Sequence, residues 1–175
     1  MEIRYPTNPD ERPRILVVEP NRANLGTMAR RLTENGYRVT VADCAAAAIA
    51  ELYRRPVDLV LAELSMPRTS GAELARTIHR EVQWKDIPIM LITGKSRPSD
   101  VVQAYSAGAD DVIVKPFHFE VLFARIDRRI YRARSIARLR GDNATLDARL
   151  VERAILIGEL RDRLHEEQIR GSLTL

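Results

Sequence analysis

Cysteine, lysine and long apolar runs are all scarce in this sequence. Its 175 residues contain one cysteine, Cys44, which excludes an internal disulfide and any zinc site built on cysteines. No stretch approaches the ~20 consecutive apolar residues of a membrane-crossing helix. The opening residues Met1-Glu2-Ile3-Arg4 lack the apolar core of a secretory signal, so the expected location is cytoplasmic. Of 28 basic residues only Lys85, Lys95 and Lys115 are lysine, so each is conspicuous against a background of arginine.

The net charge of +4 is unevenly spread. Positions 1–120 carry 16 basic and 16 acidic side chains, whereas positions 121–175 carry 12 and 8. Positions 125–140 alone hold seven arginines against Asp127. A neutral body followed by a basic segment points to two parts of different character, and nucleic acid is not the expected principal partner.

From residue 14 a unit of apolar run, turn and helical pattern repeats. The runs are Ile15-Leu16-Val17-Val18, Tyr37 to Val41, Leu59-Val60-Leu61, Ile87 to Ile92 and Val112-Ile113-Val114. Most are continuously apolar, as strands buried on both faces are. Helical patterns fall at about 21–35, 44–54, 71–83 and 98–107. Gly36 and Gly108 stand where helix C-caps belong. Five strands alternating with helices predict a parallel sheet with right-handed crossovers and helices on both faces. In such sheets functional groups gather at the carboxyl ends of the strands. Those ends carry Glu19, Glu63, Thr93 and Lys115.

After Pro116 there is no proline and no further strand signal. Leu122, Ile126 and Ile130 begin a helical face, and beyond them a heptad seam can be followed through Ile136, Leu139, Asn143, Leu146, Leu150, Ile157, Leu160 and Leu164. Arg132 and Arg153 interrupt the seam, with stems long enough to snorkel. In a parallel dimer Asp142 would face Asp147, and Arg149 would face Ala154. A parallel or antiparallel pair, a higher oligomer and docking to another protein therefore all stay open. Self-association as a coiled coil is the expectation. The expected divisions are a lead-in at 1–13, an α/β domain at 14–130, a helix at 131–168 and a tail at 169–175.

The segments Ile15 to Asn21, Asp58 to Pro67, Ser70-Gly71, Ile87 to Thr93, and Ala107 to Asp111 through Lys115-Pro116-Phe117 together resemble the receiver domain of bacterial two-component response regulators. The resemblance covers about residues 14–130. It implies a flavodoxin-like, doubly wound (βα)5 sheet, here continued by the long C-terminal helix. In that family an Asp ending the third strand takes a phosphoryl group from a kinase histidine. A Mg²⁺ ion is held there by this Asp and an acidic pair after the first strand. A Thr or Ser and a Lys bind the product phosphate.

Thr93 and Lys115 match the two phosphate-binding positions. Three other positions depart from the pattern: Glu63 stands at the phosphoacceptor, Glu19-Pro20 replaces the acidic pair, and Val112 occupies the aromatic switch position. Only Glu19 and Glu63 remain as metal-ligand candidates, and no cofactor is expected. One added methylene displaces the carboxylate at 63 by roughly 1 Å, a misplacement that costs about a hundredfold in rate. Glu63 is then either a built-in imitation of the phosphorylated state or a solvated remnant.

The resulting expectation is a non-enzymatic pseudo-receiver in phosphorelay signalling. It would work through contact with a histidine kinase or other signalling protein, and with a second copy of itself. The alternatives are a phosphorylatable regulator with an unusual acceptor, or an arginine-helix adaptor for nucleic acid.

Overall fold

The computed structural model describes residues 12–94 and 97–172. Of the features named above, most of the lead-in, the last residues of the tail and the side chains of Leu160 and Leu164 lie outside the described residues. The elements are β1 (Arg14–Val18), α1 (Arg22–Glu34), β2 (Arg38–Ala42), α2 (Ala45–Arg54), β3 (Leu59–Glu63), α3 (Gly71–Arg80), β4 (Ile89–Thr93), α4 (Pro98–Ser106), β5 (Asp111–Val114) and α5 (Phe119–Ser172).

All five strands are parallel, in the order β2-β1-β3-β4-β5. This is the flavodoxin-like doubly wound order. The continuous apolar runs have their expected cause. β1, β3 and β4 are covered on both faces, so successive side chains enter different cores. Ile15, Val17, Leu59, Leu61, Met90 and Ile92 pack with Met28 and Leu32 of α1 and with Leu122, Ile126 and Ile130 of α5. Leu16, Val18, Val60, Ala62 and Leu91 pack on the other face with Ala48, Leu52, Leu74, Ile78 and Ala104 of α2, α3 and α4.

Helix boundaries follow from local chemistry. The Asn21 side chain caps α1 by accepting from the Asn24 N–H, and Ser70 with Glu73 forms a reciprocal capping box on α3. Gly36 and Gly108 follow α1 and α4 at φ 93° and 97°, the left-handed conformation that a helix stop requires.

Two sequence boundaries shift. The helix expected over 71–83 ends at Arg80, because Glu81 is extended and the chain turns so that Trp84 stacks edge-on against Tyr53. The strand expected from Ile87 begins at Ile89, whose N–H is taken by the Asp110 carboxylate.

The chain divides into two compact units, Met1–Ala133 and Arg134–Leu175. Among its described residues the second is helix only. Within it Leu139, Leu146 and Leu150 are 61%, 55% and 63% exposed, an apolar stripe facing water. Among the described residues no helix is long and apolar enough to cross a membrane.

Candidate functional site

The parallel register brings the strand ends level. Val18 pairs with Ala62, Glu63 with Ile92, and Thr93 with Val114. The first residue beyond β1, the last of β3, the last of β4 and the first beyond β5 therefore converge: Glu19, Glu63, Thr93 and Lys115. Thr93 is fully buried, and its carbonyl accepts the Lys115 N–H at 2.8 Å, fixing where the lysine leaves the sheet. The bond from Lys115 to Pro116 is cis.

Lys115 bridges the two acids. Its ammonium donates to Glu63 Oε2 at 2.7 Å and to Glu19 Oε2 at 3.1 Å. Each carboxylate is held from behind by a backbone donor: Ser65 N–H to Glu63 Oε1 at 3.2 Å, and Asn21 N–H to Glu19 Oε1 at 3.0 Å. Both acids are buried and Lys115 is 31% exposed. Burial pushes the lysine down, but hydrogen bonds and charge from Glu63 and then Glu19 outweigh it and hold Lys115 above the usual lysine range.

Pro20 is half-buried and supplies neither a carboxylate nor an N–H to this cluster. Val112 lies in β5 with its side chain in the core shared with α4. The β3–α3 loop borders the site. Arg68 there has φ 68° at the centre of a tight turn closed by Thr69 N–H and Pro67 O, a strained conformation for a residue with a Cβ. Gly71 closes the same loop, because a Cβ there would strike the Glu63 carbonyl.

A second charged cluster decides among water, the acids of the α/β domain and a partner as the destination of two helix arginines. Asp111, buried at the start of β5, accepts from Arg125 at 3.2 Å and lies 3.6 Å from Arg129. Two of the seven arginines in 125–140 thus have a partner within the α/β domain. The available signal was an acid opening a strand and arginines four residues apart on the following helix.

A doubly wound sheet with charged groups gathered at the carboxyl ends of its central strands defines a flavodoxin-like α/β protein with a site at its topological switch point. Residues 15–127 match the response regulator receiver domain, and the chain belongs to that family. It is 35% identical over 121 residues to the response regulator MprA of Mycobacterium leprae, covering 69% of this chain and 52% of that protein. It is 32% identical over 152 residues to a probable cyclic di-GMP phosphodiesterase of Vibrio cholerae, covering 87% of this chain and 33% of that one.

Among solved structures, the signal receiver domain of a histidine kinase from Syntrophus aciditrophicus aligns with a TM-score of 0.64 at 30% identity. That alignment covers 68% of this chain and 90% of the other. A CheY-like receiver from Methanospirillum hungatei aligns at 0.66 and 26%, covering 71% and 98%. The chain spans a third to about half the length of these curated relatives. Receiver domains act in two-component signalling through contact with histidine kinases and other signalling proteins.

Proposed function

We propose that this chain is a receiver that signals without phosphoryl transfer, with Glu63 standing in for the phosphorylated acceptor. The observation that carries the reading is the 2.7 Å contact between Glu63 Oε2 and Lys115 Nζ. In the family that lysine binds the product phosphate, and here it is engaged by a carboxylate of the same chain. Thr93 completes the set as the phosphate-binding hydroxyl position, and Val112 replaces the aromatic switch.

The donor set does not fit Mg²⁺. The ion takes oxygen ligands in near-octahedral geometry, yet an ammonium lies between the two available carboxylates and Pro20 adds no side-chain oxygen. The protein is therefore not a catalyst on this reading. It acts through protein contacts: with a signalling partner, and with a second copy through the apolar stripe of the C-terminal helix. The pairing of Arg125 and Arg129 with Asp111 also favours protein over nucleic acid as partner.

The test is incubation of the chain with acetyl phosphate and Mg²⁺ followed by intact mass measurement. No phosphoryl adduct is expected, and a stable adduct on Glu63 would overturn the reading. Light scattering of the full chain should give a dimer mass, reduced to the monomer by Leu146→Asp with Leu150→Asp. A wild-type monomer at high concentration would refute the dimer.

A further inference from the structure

We infer that the second copy lies antiparallel, about a two-fold axis between Ala144 and Thr145. The inference rests on the reading of the helix as a self-association surface, and deepens it by giving orientation and register. The charges flanking the apolar stripe carry it.

In the heptad that places Ile136, Asn143, Leu150 and Ile157 at one seam position and Leu139 and Leu146 at the other, four charged residues flank the central seam. On one edge are Arg140 and Asp147, and on the other Asp142 and Arg149. Their order along the chain, Arg, Asp, Asp, Arg, is a palindrome in charge. Edge charges of this kind set orientation and partner choice in coiled coils.

A parallel, in-register pair sets one edge against the other. Asp142 then meets Asp147 of the second copy, twice by symmetry, and Arg149 meets Ala154. Reversing one strand sets each edge against itself. When Leu139 packs beside Leu150 of the second copy, and Asn143 beside Leu146, Asp142 comes opposite Arg149 and Arg140 opposite Asp147. Symmetry doubles both, giving four attractive pairs around one apolar centre.

Sliding the antiparallel pair by one heptad destroys this. In one direction Asp142 meets its own copy and Arg140 meets its own copy. In the other direction Arg149 and Asp147 do the same. One register is therefore singled out. It also accommodates the two seam arginines: Arg132 falls beside Ile157 and Arg153 beside Ile136 of the second copy, where each aliphatic stem can cover the isoleucine while the guanidinium reaches water. The three central leucines are more than half exposed in the single chain, so the surface to be covered is present.

The experiment uses the full chain with Cys44→Ser. Cys44 is exposed at the N-cap of α2 and makes no side-chain cap bond there, so the exchange is mild. Spin labels are placed singly through Ala137→Cys, Ala144→Cys or Val151→Cys, all at the same outer heptad position. At 1.5 Å rise per residue, an antiparallel pair separates the labels along the axis by about 23, 2 and 20 Å respectively. A parallel pair gives one common distance.

Charge variants give an independent reading. Asp142→Arg converts two attractions to two repulsions and should weaken the dimer about tenfold, with Arg149→Asp restoring it in the double variant. Short separation at 144 with long separation at 137 and 151 is the expected result. A dimer with equal label distances, or tightened by Asp142→Arg, overturns the antiparallel register and leaves self-association standing. A monomer at every concentration overturns both.

Discussion

Replacing Lys115 by Met removes the ammonium that bridges two buried carboxylates. Because Nζ lies 3.1 and 2.7 Å from the facing oxygens, those oxygens are no more than about 6 Å apart. At an effective dielectric of 20, two unit negative charges at that distance repel by about 3 kcal/mol. Breaking a fully buried pair costs about 3–5 kcal/mol, and the 31% exposure of Lys115 lets water screen part of it. The expected loss at pH 7.5 is therefore about 2–3 kcal/mol.

Urea unfolding followed by circular dichroism measures it in the wild type, Lys115→Met, Glu63→Gln and the double variant. The double variant should recover most of the loss, because a neutral amide at position 63 no longer repels Glu19. A loss under about 0.5 kcal/mol, or an equal loss in the Glu63→Gln background, would refute the bridged-carboxylate account.

The raised Lys115 pKa sets the alkaline limit of the same bridge. The wild type's advantage over Lys115→Met is full below the ordinary lysine value of 10.5 and declines as pH rises through the higher folded value, which paired unfolding curves from pH 8 upward would show. Gly71→Ala drives a methyl group into the Glu63 carbonyl, with the Leu64 Cα 3.0 Å away, and should cost about 1–3 kcal/mol; unchanged thermal stability would contradict the close approach. Tyr37 is almost fully buried and its hydroxyl donates to Asp127 at 2.6 Å, so Tyr37→Phe should cost about 1–2 kcal/mol by urea titration. Ser70→Ala removes half of the capping box and should cost about 1 kcal/mol, with helix content falling first at α3.

The sheet was legible because burial on both faces makes its central strands read as unbroken apolar runs. Glycines at positive φ and a capping serine punctuate the helices between them. The boundaries that moved are those decided by distant partners. Glu81 leaves the helical conformation so that Trp84 can meet Tyr53, thirty-one residues earlier in the chain. Ile89 begins its strand where the Asp110 side chain takes its N–H. Periodicity within a window contains neither partner. For the arginines at 125 and 129 the sequence left water, the acids of the α/β domain or a partner open, and only the fold sets them beside Asp111.

Convergence of Glu19, Glu63, Thr93 and Lys115 followed from strand ends alone. What the sequence left open was how their oxygens and nitrogen are shared. A lysine between two carboxylates, each backed by an N–H from Asn21 or Ser65, depends on side-chain reach that spacing does not encode.

On the proposed reading, that shared geometry changes how a signal can enter. Moving a two-state protein from 1:99 to 99:1 takes about 5.5 kcal/mol of differential affinity. A clamp worth about 2–3 kcal/mol already biases the engaged arrangement by roughly 30- to 160-fold. Its ligand belongs to the same chain and cannot be withdrawn by a phosphatase. What remains adjustable is association. A partner that prefers one arrangement shifts the population by its differential affinity, and pairing through the helix varies with the amount of chain present. The antiparallel register matters here because its two-fold axis relates two whole receivers, and a partner bridging both must match that symmetry.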